Sequence, residues 1–384
     1  MQGHSILKLG NRFRKIERMT EKILLNSLER HNRNLLPEFR HALDRVLESG
    51  WYILGSEVDQ FESEFADYCG VSDCVGVGNG TDALELALLA LEIGPGNRVA
   101  TVANAGGYSS TAIRAIGAIP VYVDIATDTM TMSPDSLAQT LTPDIRAVIV
   151  THLYGQMADM APLLRAAGKF GIPVIEDCAQ AHGAIANGKK AGAHGIIGCF
   201  SFYPTKNLGA LGDGGALTTS DAGLARRLRQ LRQYGWEKKY DTTLTGGRNS
   251  RLDEMQAALL RIKLPLLDEW NARRREIAGR YSVELASSQL VLPSMRNASY
   301  VAHLYVCRTQ DRQGLQQHLA AQGVMTDIHY PIPDHLQPAF RSPQPPDLPV
   351  TERCCEEVLT LPCYPELTEA DVLRVIDACL SWSP

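Results

Sequence analysis

Lys206 stands in the setting most suggestive of chemistry. It lies in Ser201-Phe202-Tyr203-Pro204-Thr205-Lys206-Asn207-Leu208-Gly209, which runs on to Gly212-Asp213-Gly214-Gly215. Pro204 fixes the approach of the backbone, and the four glycines let the chain come close to a ligand. A lysine in a partly desolvated pocket has a lowered pKa and becomes a nucleophile towards aldehydes. The alternative is an ordinary loop lysine in a glycine turn.

The second segment is Pro173-Val174-Ile175-Glu176-Asp177-Cys178-Ala179-Gln180-Ala181-His182-Gly183, an apolar run that ends in acids. Doubly wound sheets bind ligands beyond the carboxyl ends of their strands, where Asp177 falls. A carboxylate there can keep a pyridine nitrogen protonated and so make the ring an electron sink. Gln180 is then within reach of a ring hydroxyl. Equally, Asp177 could cap a helix, Glu176 could cap or pair, and His182 could be a satisfied buried histidine. The third segment, Gly78-Asn79-Gly80-Thr81-Asp82-Ala83-Leu84, is a glycine turn opening a helix, with free N–H groups and a dipole suited to phosphate. A dinucleotide fingerprint fails because Thr81 stands where a third glycine is needed, and no Gly-Lys-Ser/Thr follows for a Walker loop. The cradle suits a single phosphate. A nucleophilic lysine, a ring-nitrogen carboxylate and a one-phosphate cradle together are what pyridoxal 5′-phosphate requires.

These residues need a scaffold. Strands are expected over 75–77, 99–102, 120–123, 147–151, 173–176, 198–202 and 216–219, with helices over 83–93, 111–116, 160–170 and 224–234. This alternation argues for an α/β fold with a largely parallel sheet covered on both faces. A long helix over 253–281, bent at Pro265, leads to a strand over 302–308, a helix over 312–322 and a proline-rich loop over 331–349. Residues 20–265 are read as a large domain, 266–384 as a smaller α/β one, and 1–19 as a disordered extension in which Met19 could be the true start.

The bulk composition sets limits. Of 384 residues, 43 are acidic and 38 basic, a net charge of −5 that gives no basic surface for nucleic acid. No apolar run nears the roughly 18 residues of a membrane span, and the basic N-terminal residues have no apolar stretch behind them to make an export signal. A cytoplasmic protein is expected. The nine cysteines include no Cys-x-x-Cys and no zinc-finger spacing, so they read as thiols in a reducing cytosol and no metal is expected. The vicinal pair Cys354–Cys355 could be redox-active.

With these motifs in place, the chain closely resembles the sugar aminotransferases of the DegT/DnrJ/EryC1/StrS family from about Leu25 to its end. The shared segments are the three above, Ser49-Gly50-Trp51-Tyr52-Ile53-Leu54-Gly55, Asn249-Ser250-Arg251-Leu252-Asp253 and His329-Tyr330-Pro331-Ile332-Pro333-Asp334-His335-Leu336-Gln337. The resemblance implies the type I (aspartate aminotransferase-like) fold and a homodimer with sites at the interface. It also implies Lys206 as the Schiff-base lysine and Asp177 as partner of the pyridine nitrogen. Gln180 would sit at the ring hydroxyl, and Gly80, Thr81, Asp82 and Ser201 would hold the phosphate. Asn249 would reach the phosphate from the neighbouring subunit, unless it caps the helix that follows. One departure stands out. The family usually stacks an aromatic ring on the cofactor, but Asn104-Ala105-Gly106-Gly107-Tyr108 places glycine there, so Tyr108 is the candidate to take over.

The implied reaction is ping-pong. L-glutamate passes its amino group to the cofactor, leaving pyridoxamine 5′-phosphate, which aminates a dTDP- or UDP-linked 3-keto or 4-keto 6-deoxyhexose. Lys206 shuttles the proton, and Tyr52, Lys239, His329 and Tyr330 are candidate substrate contacts. A related dehydratase would carry histidine in place of Lys206. A keto-cyclitol aminotransferase and a regulator that merely holds the cofactor are the remaining alternatives.

Overall fold

A lysine and an aspartate from distant segments can share a cavity only if a sheet brings strand ends together, and apolar β-branched runs supply that sheet. In a computed structural model, which describes residues 22–294 and 297–383, seven strands form it. Their spatial order is Asp73–Val77, Gly215–Thr219, Ile197–Ser201, Val174–Asp177, Ile145–Thr151, Arg98–Val102 and Ile119–Val123. Six strands run one way, and Gly215–Thr219 is antiparallel to both of its neighbours. Nearly every residue of these strands is buried, as expected when helices cover both faces. The N-terminal extension read over 1–19 lies outside the described residues.

The register does the positioning. Thr151 pairs with Asp177, and Asp177 pairs with Cys199, so three carboxyl-terminal strand ends meet at one edge. The helix Gly80–Ala90 begins there too. Asn79 caps it, its side-chain oxygen accepting from the Asp82 N–H at 2.8 Å, and Ala83, Leu84, Leu86, Ala87 and Leu88 bury its apolar positions. The bend expected at Pro265 is a 3₁₀ turn, Leu264–Leu266, between the helices Glu254–Lys263 and Leu267–Glu284.

A second cluster of buried side chains, including Tyr281, Tyr305, Leu319, Leu361, Tyr364 and Ile376, surrounds the antiparallel pair Tyr305–Arg308 and Val358–Leu361. The strand expected from 302 starts only at Tyr305. Helices Leu36–Ser49, Ser56–Cys69 and Glu369–Leu380 add to the elements read from the sequence. The nine cysteines are free and buried, the vicinal pair included. Among the described residues, no helix is long and apolar enough to cross a membrane.

Candidate active site

At the carboxyl edge of the sheet lies a cavity of about 460 Å³ lined by Gly80, Thr81, Tyr108, Asp177, Gln180, Ser201 and Lys206, among others. Seven candidates drawn from four separate segments thus converge. A neighbouring cavity of about 400 Å³ shares Tyr108, Gln180, Tyr203 and Lys206 and adds His329 and Tyr330.

Burial drives the Lys206 amine down to a pKa of about 8, and the Asp177 carboxylate partly opposes this. Asp177 moves the other way. Burial raises its pKa, while the Ala179 N–H (3.2 Å), Lys206 and the Thr151 hydroxyl (3.3 Å) hold it down. Behind it, Glu176 is fully buried and accepts from His152 Nε2 at 2.9 Å and from the N–H groups of Gly192, His194 and Gly195. His152 Nδ1 accepts from the Ala158 N–H, so Nε2 carries the hydrogen given to Glu176. Glu176 is therefore structural. His152, Glu176 and Cys178 present donor atoms within 4.8 Å of one another, but these hydrogen bonds already occupy His152 and Glu176. His182 packs on Phe200 and Phe202, and burial lowers its pKa to about 3, so it is a neutral core side chain.

The phosphate cradle is open. Among the described residues the Gly80 and Thr81 N–H groups have no hydrogen-bond partner, whereas the next two are taken by Asn79. Gly80 must lack a side chain, since a Cβ there would stand 2.7 Å from the Cβ of Ser201. Two free N–H groups at a helix N-terminus, beside the Thr81 and Ser201 hydroxyls, fit one phosphate. With an amine of pKa about 8 and a buried carboxylate in the same cavity, the residues present fit pyridoxal phosphate.

Some candidates are placed elsewhere. The Asp82 carboxylate accepts from the Ser250 hydroxyl at 2.6 Å and faces Arg248 at 3.7 Å, and its N–H belongs to Asn79, so in this chain it is not aimed at a phosphate. Asn249 is exposed and does not cap the following helix, whose N-cap is Asp253. Tyr52 and Lys239 are exposed and line neither cavity. Thr151 and Tyr203 line the cavity without having been singled out from the sequence, and Tyr154 stands behind it, its N–H held by Gln180 Oε1. For Thr151 a signal existed, because it ends the strand expected over 147–151, and such sheets bind ligands beyond their carboxyl strand ends.

The family model for the DegT/DnrJ/EryC1/StrS aminotransferase family matches residues 34–380. The chain belongs to that family. This aminotransferase is 48% identical over 352 residues to the dTDP-3-amino-3,6-dideoxy-α-D-galactopyranose transaminase of Aneurinibacillus thermoaerophilus, covering 91% of this chain and 97% of that one. It is 45% identical to the dTDP-3-amino-3,4,6-trideoxy-α-D-glucose transaminase of Streptomyces venezuelae, over 95% of this chain and 97% of the relative. Among solved structures, S. venezuelae DesV in complex with a ketimine intermediate superposes with a TM-score of 0.92 at 45% identity, covering 94% of this chain and 99% of that one. The fold expected from the motifs is the observed one, and the aminotransferase is pyridoxal-phosphate dependent.

Proposed function

We propose that this aminotransferase takes an amino group from L-glutamate and delivers it to a nucleotide-linked keto sugar, a dTDP-linked 3-keto 6-deoxyhexose by preference. The observation that carries the reading is the convergence of Lys206, Asp177 and an unpartnered helix N-terminus on one cavity. The names of the two dTDP-sugar relatives, both 3-amino sugar transaminases, support the acceptor and its carbon.

Bound pyridoxal phosphate supplies the electron sink that makes an amino acid's α-proton acidic. Lys206 would hold the cofactor through its Nζ amine, and the same amine would move the substrate's α-proton. A pKa of about 8 leaves an appreciable share of that amine neutral near neutral pH. Asp177 holds the proton on the pyridine nitrogen. Gln180 would donate to the ring hydroxyl, and Tyr108, which lines the same cavity, would pack against the cofactor. Gly80, Thr81 and Ser201 bind the phosphate, with Asn249 supplied by the second subunit of a homodimer. His329 and Tyr330 flank the substrate, and Tyr52 and Lys239 would reach it across the dimer interface. The separate buried cluster around Tyr305–Arg308 and Val358–Leu361 supports a division of the chain near residue 265, and we place the protein in the cytoplasm.

The test is transfer from ¹⁵N-glutamate to a panel of dTDP-3-keto and dTDP-4-keto 6-deoxyhexoses and scyllo-inosose. Label in the 3-amino sugar is expected. Label in the cyclitol alone would replace the acceptor, and no transfer to any of them would overturn the proposal.

A further inference from the structure

Gly106 has a φ of +76°, and a Cβ on it would stand 2.9 Å from Cε1 and Cζ of Tyr330. The room left by the missing side chain is filled by a tyrosine from the far end of the chain. Tyr330 is not merely packed there, because its hydroxyl lies 3.2 Å from Gln180 Nε2. The orientation of the Gln180 amide is fixed from its other side, where Oε1 accepts the Tyr154 N–H at 2.6 Å. Nε2 therefore carries both amide hydrogens, one of which goes to Tyr330. Tyr154 also donates its hydroxyl to the His329 carbonyl, so one residue holds both Gln180 and the segment that bears Tyr330. Gln180 lines both cavities, whereas Tyr330 lines only the second.

We propose that Tyr330 is a positioning residue, which enters over Gly106 and locks the Gln180 amide so that its remaining Nε2 hydrogen points at the ring hydroxyl of the cofactor. This rests on the placement of Gln180 at the ring hydroxyl under the proposed function. Tyr108 touches the same hydroxyl, since Tyr330 also hydrogen-bonds to the Tyr108 side chain, and the Gln180→Ala background separates the two contacts. Tyr108 meets Tyr330 ring edge to face at 6.2 Å and lines the cofactor cavity itself. A held N–H donor stabilises the ionised form of the oxygen it faces, and a donor free to swing away does so less. Loosening Gln180 should therefore make the bound cofactor hold its proton to higher pH.

The experiment titrates the absorbance of the pyridoxal-phosphate-loaded protein against pH in the wild type, Tyr330→Phe, Gln180→Ala and the double variant. Tyr330→Phe removes one oxygen and keeps the ring over Gly106. It is expected to raise the titration midpoint by about half a pH unit or more, and to add nothing in the Gln180→Ala background. A wild-type midpoint in Tyr330→Phe, or an undiminished shift in the double variant, would overturn the inference while leaving Gln180 in place. An unchanged midpoint in Gln180→Ala would remove the Gln180 placement itself, and this inference with it.

Discussion

Burial sets the reactivity of Lys206, and Asp177 moderates it. The amine is pushed down to about 8 by desolvation, and the neighbouring carboxylate, which favours the ammonium, pulls it back up. Only the neutral amine attacks an aldehyde, so uptake of pyridoxal phosphate by the apoprotein should accelerate as the pH rises through about 8 and then level off. Asp177→Asn removes the charge that stabilises the ammonium and should move this profile to lower pH. Stopped-flow absorbance across the pH range checks both, and a profile that moves upward would contradict the assigned electrostatics. Lys206→Ala should lose on the order of 10²–10⁴-fold or more in turnover. Steady-state activity within tenfold of wild type would remove Lys206 from the chemistry.

Two elements hold these residues in place. Glu176 ties the strand Val174–Asp177 to the loop at 192–195 through three backbone N–H groups and His152. Burial alone would raise its pKa, but the His152 hydrogen bond and the backbone donors outweigh this and leave it below its ordinary value of 4.5. Because the folded value is lowered, its contribution to stability is present at neutral pH and fades as the pH falls below 4.5. Glu176→Gln puts an amide NH₂ among donors and should cost about 2–3 kcal/mol, read as a shift of the urea midpoint at pH 7. The difference from wild type should shrink at pH 4. At the start of the helix Gly80–Ala90, Gly80→Ala forces a Cβ against Ser201 and should weaken cofactor affinity about tenfold or more, roughly 1.4 kcal/mol. Fluorescence titration with pyridoxal phosphate measures it.

At the scale of the molecule, the sheet and the core of the site were legible in the sequence for a physical reason. Asp177 ends a buried strand, Lys206 and the Gly80–Thr81 turn follow two others, and strand ends of a parallel sheet converge. The pairing of Gly106 with Tyr330 was not legible, because the contact joins segments far apart in sequence. The Tyr154 N–H on Gln180 was hidden too, since a backbone donor leaves no trace in residue type. Helices Leu36–Ser49 and Ser56–Cys69 escaped although their amphipathic patterns are present. Tyr52, Lys239 and Asn249 came from resemblance alone, and a single chain leaves them exposed. Trp51 and Tyr52 expose 62% and 47% of their surface side by side, an apolar patch suited to a second copy. If the proposed homodimer meets there, Trp51→Glu should convert it to monomer in sedimentation velocity and lower cofactor affinity with it. A variant that stays dimeric with full affinity would place the interface elsewhere.

Under the proposed function, Lys206 carries a cofactor that accepts an amino group from an amino acid. The most direct measurement is the absorbance spectrum of the purified, pyridoxal-phosphate-loaded protein before and after L-glutamate. A yellow band that gives way to the shorter-wavelength band of pyridoxamine phosphate is the expected result. A protein that stays colourless after pyridoxal phosphate is added would contradict the roles given to Lys206, Asp177 and the phosphate cradle together.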